Sequence, residues 1–578
     1  MTGPIIDPIR LEVIRNALIA ASEEMNISIW RTARSTVVRE TLDYSTAIFD
    51  GAGQAVAQST RIPVHLNSMS VCLEEIVANW IPLEDWRDGD VILTNDPYAG
   101  GQHLPDFVAF KPIYADNPDS PGGRERVGIS AAIVHHVDIG GGAPGSYFAG
   151  ANEIYQEGLR LPPMKLAEGG KRNEAVLAII RRNSREPEKI AGDVQAQLAA
   201  LEVGARAVLR LTDRYGVSEV RAAMTAVLDQ SESGMRAAIR NLPDGEYAFE
   251  DFVDDDGQDA EGLKVRAIVR IQGDEAEVDL SGSAPQAPGP VNCTLNMAKS
   301  GVYCALLMAA GGDVMANTGA YRPIRIVAEP GTIVSALSPA PVANRMATGH
   351  RIVTTVLGAL AAAAPDRIPA AYYGVSYVAA LSAPDTDGER RVYFEIEVGG
   401  WGAHPEADGA NGYSAGFHNL ANSPLEMCEA LFPVTFTHYG LIPDSGGAGE
   451  RRGGLGLARE WRLDSDWGML SGNFDRFKYP PYGLSGGAPG APGRFVLTPK
   501  NGAPKLLPSK ISGVALKQGD RVRLDTAGGR GWGRARSRAG RWRASPTTSP
   551  ARRWPKAAGP PTTARKWTRW RRSGPSPG

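Results

Sequence analysis

The stretch from Asp90 to Gly145 constrains this chain more than any other. It runs DVILTNDPYAGGQHLPDFVAF, crosses a polar loop and resumes as ISAAIVHHVDIGGGAPG. Three of the chain's eight histidines lie inside it. His103 and Asp106 are three apart, with Pro105 stiffening the turn between them. Further on, His135, His136 and Asp138 leave an apolar strand and meet a glycine cluster. A divalent cation needs imidazole or carboxylate ligands converging from at least two segments. Both segments read as strand ends entering glycine-rich loops, where functional side chains are often presented. The same residues also fit a hydrogen-bonded His–Asp lock or a packed strand end, and spacing alone does not separate these readings.

A chain of 578 residues has room for several domains at about 150 residues each. Hydrophobic content of 43% and charged content of 22% are globular values. Four cysteines (Cys72, Cys293, Cys304 and Cys428) show no CxxC spacing, so buried thiols in a reducing compartment are expected. The opening TGPIIDPIRLE lacks a basic n-region and an apolar h-region, and no run of about 18 apolar residues exists to span a membrane. A cytoplasmic, soluble protein is the expectation. The net charge of −2 hides an asymmetry. Residues 534–578 carry 13 Arg or Lys and no acid, which leaves 49 basic against 64 acidic residues, net −15, upstream.

Along the chain, Asp7-Pro8 reads as an N-cap with proline in the first helical position. Ile9, Val13, Ile14, Leu18 and Met25 follow at helical spacing, to about Ala33. STAIFD and QAVAQS flank turn residues and predict a hairpin. VHLNSMSVCLEEIVANW predicts a helix entered at His65, a capping or packing histidine. DVILTND, FVAFKPIYA and RVGISAAIVHH read as strands. Two consecutive prolines exclude helix from IYQEGLRLPPMKL. There Glu157 is either a substrate or supporting carboxylate or a partner of Arg160. Two long amphipathic helices follow, the first from Pro187 to before Gly216 and the second opening at Ser218.

A boundary near Pro243-Asp244-Gly245 divides an N-terminal α/β region with the metal site, 1–243, from a β-rich region, 244–533. Asp254, Asp255 and Asp256 read as a hairpin tip, since their spacing does not fit an EF-hand. SGVYCALLMAA predicts a helix burying Cys304, and HRIVTTVLGALAAAA a buried helix after His350. Residues 400–424 form a long polar loop, a kind that is often functional; its His404 and Asp408 are four apart. The fold class expected is α+β, mixed helices with largely antiparallel sheets in several subdomains. The tail 534–578, rich in Arg, Pro and Trp, cannot bury enough surface to fold and is expected to be disordered. A frameshift in a GC-rich reading frame would produce it, and no nucleic-acid partner is inferred from it.

Among catalytic motifs, no G-x-x-x-x-G-K-[ST] or H-E-x-x-H is present, and G-x-S-x-G occurs in Gly/Pro-rich loop-like segments (GYSAG, GLSGG, GPSPG) rather than at a strand-to-helix elbow. The cysteines sit in apolar segments without basic neighbours, which does not suit a low-pKa nucleophile. A metal-activated water with a carboxylate proton shuttle is the remaining chemistry.

NDPYAGGQHLPDF together with HHVDIGG resembles the hydantoinase B family, which includes N-methylhydantoinase B subunits, the C-terminal half of 5-oxoprolinases and acetone carboxylase alpha subunits. RETLDYSTAIFD, EIYQEGLRLPPMKL, PGPVNCTLN, YRPIRI and DSGGAGERRGGLGLARE extend the likeness over roughly residues 5 to 533. The resemblance implies a metal-binding subunit that opens a cyclic amide after an actin-like ATPase partner, of hydantoinase A type, has phosphorylated it with ATP. Asp43, which pattern alone reads as a turn cap, joins His103, Asp106 and the His135/His136 pair as implied metal ligands. Asp138 is implied to orient a ligand imidazole, and two His with two Asp suit zinc, manganese or iron. A carboxylase subunit acting on acetone and bicarbonate, and a non-catalytic subunit with a structural metal, remain as alternatives. In every case a hetero-oligomer is expected.

Overall fold

Strands alternating between two apolar faces build the first sheet, and helices close over both. The structure, a computed structural model, describes residues 6–535 apart from positions 66, 313 and 415. The expected disorder of the tail beyond 535 therefore lies outside the described residues. The strands are β1 (Tyr44–Asp50), β2 (Ala55–Gln58), β3 (Val91–Thr94), β4 (Asp106–Asp116), β5 (Arg124–His135), β6 (Met164–Glu168) and β7 (Lys171–Arg172). Their order is β2-β1-β5-β4-β3-β6-β7, antiparallel throughout.

Successive side chains of a strand point to opposite faces. Phe49, Phe110 and Ile133 accordingly pack under the helix Ser68–Asn79, with Cys72, Leu73 and Ile76. Ile48, Phe107 and Val134 pack under the helices Pro8–Thr32 and Pro187–Tyr215, with Leu18, Met25 and Leu201. Asp7 caps the first helix, its carboxylate accepting the Ile9 N–H at 3.2 Å. Its inward stripe is Leu11, Ile14, Leu18, Met25 and Ile29. Ile9 and Val13, apolar residues at helical spacing, stand 74% and 47% exposed, because they lie off that stripe.

A second sheet holds the hairpin Gly245–Asp255 and Glu261–Gln272, with Glu275–Asp279 and, parallel to it, Ile324–Val327. Two further antiparallel sheets, of four and five strands, use residues between Tyr377 and Asp525. The chain is thus α+β with largely antiparallel sheets, as its sequence implies. The buried helix Met346–Ala363 packs against the second sheet and against the helix Leu295–Ala310. It begins before His350 rather than after it. That shift puts Arg345 at the helix entrance, next to the first sheet's end.

Candidate metal centre

Strand register fixes the cluster. Asp106 opens β4, His135 closes β5, and the two are directly paired. The His135 N–H donates to the Asp43 carbonyl at 3.1 Å, and the Asp106 N–H to the His103 carbonyl at 3.1 Å. His135 shares a face with Ile129, Ala131 and Ile133, and Asp106 with Val108 and Phe110. His103 Nε2 lies 3.2 Å from His135 Nδ1 and 3.1 Å from Asp106 Oδ1. His135 Nδ1 lies 3.1 Å from the same oxygen. Asp43 Oδ2 stands 3.9 Å from His135 Nδ1. Ligand atoms about 2.0–2.1 Å from a tetrahedral ion sit roughly 3.3 Å from one another, so these separations fit one cation.

The electrostatics fit as well. Burial pushes the His103 imidazole down to about 3, so it is neutral and its lone pair is available. For Asp106 burial is opposed by His103 and by the Arg345 guanidinium, and the net effect holds its carboxyl well below the usual range. With His103 neutral, the cause that persists is the ion pair from Arg345 Nη2 to Asp106 Oδ2, at 2.7 Å. Burial pushes the Asp43 carboxyl up, and a bound cation reverses that logic. A narrow cleft of about 20 Å³ adjoins the cluster, lined by Asp43, His65, His135, Arg345, Ser376 and His418 among others. That is room for about one water. The larger concavities, of about 1060 and 680 Å³, lie elsewhere on the surface and contain none of these residues.

Period-two alternation sends His136 to the opposite face. Its ring packs edge-on against Phe107 at 4.4 Å, and burial pushes it down to about 3. The structure does not bring it to the cluster. Asp138 makes no direct hydrogen bond to either imidazole. Its oxygens accept the N–H groups of Gly140, Gly145 and Arg185 and the Arg185 guanidinium. It thereby ties down the loop that carries Tyr147, whose ring centroid is 5.8 Å from that of His103 and 6.2 Å from that of His135. The turn here needs glycine: Gly141 has φ +78°, and a Cβ on it would meet the Glu157 carbonyl at 2.5 Å.

Glu157 is 1% exposed and does not pair with Arg160, which binds Asp96 instead. Glu157 Oε1 accepts the Ala343 N–H at 2.7 Å, and Oε2 has no partner. Burial pushes its carboxyl up to about 8. The folded state then holds a proton that the unfolded chain releases above about pH 4.3. Stability contributed by this group is therefore present at low pH and falls as pH rises from there through 8. Between pH 5.5 and 8.5 the loss approaches about 3 kcal/mol. Glu157→Gln keeps the acceptor and removes the titration, so its denaturant midpoint should vary less over that range than the wild type's. Equal pH dependence in the two proteins would refute the protonated carboxyl.

Sequence reasoning misses His65, Arg345, Ser376 and His418 as cleft residues. His65, which the sequence reads as capping or packing, lines the cleft, and its Nδ1 lies 3.0 Å from Ser45 Oγ. His418 meets the Ser376 hydroxyl, His350 and Tyr373. Arg345 does carry a signal, as a charged residue just before a helix whose later turns are apolar. His404 and Asp408 do not converge: His404 contacts the Arg367 carbonyl, and Asp408 accepts the Arg452 N–H.

Residues 7–535 match the hydantoinase B/oxoprolinase family. The beta chain of the caprolactamase of Pseudomonas jessenii is 37% identical over 79% of this chain and 78% of its own length. The B component of a putative D-/L-hydantoinase of Pseudomonas sp. (strain NS671) is 31% identical over 91% of this chain and 90% of its own. The crystal structure of the ATP-dependent caprolactamase from Pseudomonas jessenii superposes with TM-score 0.85 at 32% identity, covering 92% of this chain and 91% of that one. Nucleotide-free acetone carboxylase shares the fold, with TM-score 0.83 at 18% identity over 91% of this chain and 76% of that one. With this cluster in place and the match running through nearly every described residue, the chain belongs to the hydantoinase B/oxoprolinase family.

Proposed function

We propose that this chain is the metal-binding B-type subunit of an ATP-dependent cyclic amide hydrolase. It works with an actin-like ATPase subunit of hydantoinase A type, which binds ATP and phosphorylates the lactam or imide oxygen. The observation that carries the reading is the convergence of His103, Asp106 and His135 within 3.2 Å, with Asp43 beside them. These four residues would hold zinc, manganese or iron; His136 stands apart. When bound, the ion supplies a more acidic water and polarises a carbonyl or phosphoryl oxygen.

The protein groups do the rest. Arg345 fixes Asp106, leaving its Oδ1 toward the imidazoles. Asp138 positions Tyr147 over both rings through the glycine loop. Water adds to the activated ring carbon, the carbon–nitrogen bond breaks, and the ring nitrogen leaves with a proton. Glu157, protonated near neutral pH by burial, can supply that proton. The acyl phosphate that remains is hydrolysed by a second water to carboxylate and phosphate.

The cleft beside Asp43 and His135 favours chemistry over a closed structural site, because a catalytic metal keeps a position open to water. A panel assay tests the proposal. With an actin-like ATPase subunit and ATP, hydantoins, 5-oxoproline and larger lactams should include a substrate that is ring-opened. Carboxylation of acetone from bicarbonate, with no amide opened, would overturn it in favour of a carboxylase.

A further inference from the structure

Arg345 is more than a clamp on Asp106. It is 3% exposed, and only Nη2 is engaged in a hydrogen bond; Nε and Nη1 have no partner. The Tyr147 hydroxyl interacts with the guanidinium, yet neither Nε nor Nη1 makes a well-formed hydrogen bond to any described residue. A buried guanidinium with two unfilled nitrogens is unfavourable unless a ligand fills them. Arg345 lines the cleft at the metal cluster. It also occupies the N-cap position of the 18-residue helix Met346–Ala363, with no side-chain capping hydrogen bond, and the positive dipole end of that helix favours an anion at that point. Asn344, just before it, is fully buried with neither amide atom partnered.

The two unfilled guanidinium nitrogens belong to a residue of the cleft wall. Of the nearby acids, Asp43 shares the cleft wall and stands with its Oδ2 3.9 Å from His135 Nδ1. Asp106 is already paired with Nη2, and Glu157 is largely neutral near pH 7. The cleft reaches solvent narrowly, since Asp43 and His418 at its wall keep 8% and 5% exposure.

We infer that Arg345 Nε and Nη1, at the entrance of the helix Met346–Ala363, form an anion site that takes an oxygen of a phosphoryl group beside the metal cluster. The inference rests on the reading of this cleft as the place where the phosphorylated ring is opened, and it gives the phosphoryl group its binding residue. A planar fork suits phosphate better than a point charge does. The same donors would also accept a carboxylate, so a carboxylate probe must be compared.

The test uses the full chain and inorganic phosphate, one oxygen of which needs no more room than the single water the cleft holds, followed by titration calorimetry, with metal restored and again after chelation. Arg345→Lys keeps a cation for Asp106 and removes the fork. Phosphate should bind the wild type at least about tenfold more tightly than Arg345→Lys in both metal states. Acetate should bind weakly to both. Equal phosphate affinity in the two proteins, or no phosphate binding by the wild type, would overturn the anion site. Acetate bound as tightly as phosphate, with the same dependence on Arg345, would overturn the phosphoryl assignment. The chelated arm decides the matter if the variant also loses metal. Elemental analysis reports separately on the metal centre, so a failed anion site and a failed metal site give different results.

Discussion

His103→Ala is expected to empty the metal centre while the fold survives. The ring is 0% exposed, and its Nε2 is within 3.2 Å of both other members of the triad. Removing a supporting partner of a metal ligand already costs 10- to 100-fold in affinity, and removing a ligand itself should exceed about 100-fold. Truncation removes the Nε2 contacts to Asp106 and His135, but Asp106 stays held by His135 and Arg345, so the main cost is a cavity, about 2–5 kcal/mol. Asp106→Ala is a different experiment. It removes a ligand and also leaves Arg345 as a buried, unpaired cation, a loss of about 3–5 kcal/mol. Elemental analysis and thermal melts of the wild type and both variants should show metal lost in both and stability lost more in Asp106→Ala. Metal content equal to wild type in His103→Ala would show that the cluster is not the metal centre. His136→Ala should retain the metal, since that ring lies on the other face of the sheet.

Much of this was legible from period and spacing. The alternation in ISAAIVHH assigns His135 and His136 to opposite faces, and only one can share a face with Asp106. What the sequence could not supply was strand pairing, which decides which of the two it is. Register pairs His135 with Asp106 across β4 and β5 and sets Asp43 beside them. The far wall of the cleft was invisible for the same reason. Arg345, Ser376 and His418 lie 239, 270 and 312 positions beyond Asp106 along the chain and reach the site only through packing between sheets. Asp138 shows the opposite limit. Its place beside HHV suggested a direct hydrogen bond to an imidazole, yet glycine-loop N–H groups and Arg185 occupy its oxygens.

The isolated chain is expected to open no ring and to hydrolyse no ATP. Amide resonance makes opening an unstrained lactam uphill or nearly balanced, so the reaction must be coupled to ATP. Coupling needs a phosphate-binding loop, and the sequence carries none of the recognised form. The site itself points the same way. A cleft of about 20 Å³ holds a water but not a ring of six or seven heavy atoms. Its walls, His418 and Leu420 among them, must separate before substrate enters. A partner that delivers a reactive phosphorylated intermediate would supply both the phosphoryl group and the opening, and would keep bulk water out. An interface able to do so should be of obligate size, above about 2,000 Å². Adding an actin-like ATPase subunit should therefore switch on ring opening and ATP hydrolysis together, from no detectable rate. ATP-dependent lactam hydrolysis by the purified, partner-free chain would refute the two-subunit reading. Ring opening without ATP would refute the coupling itself.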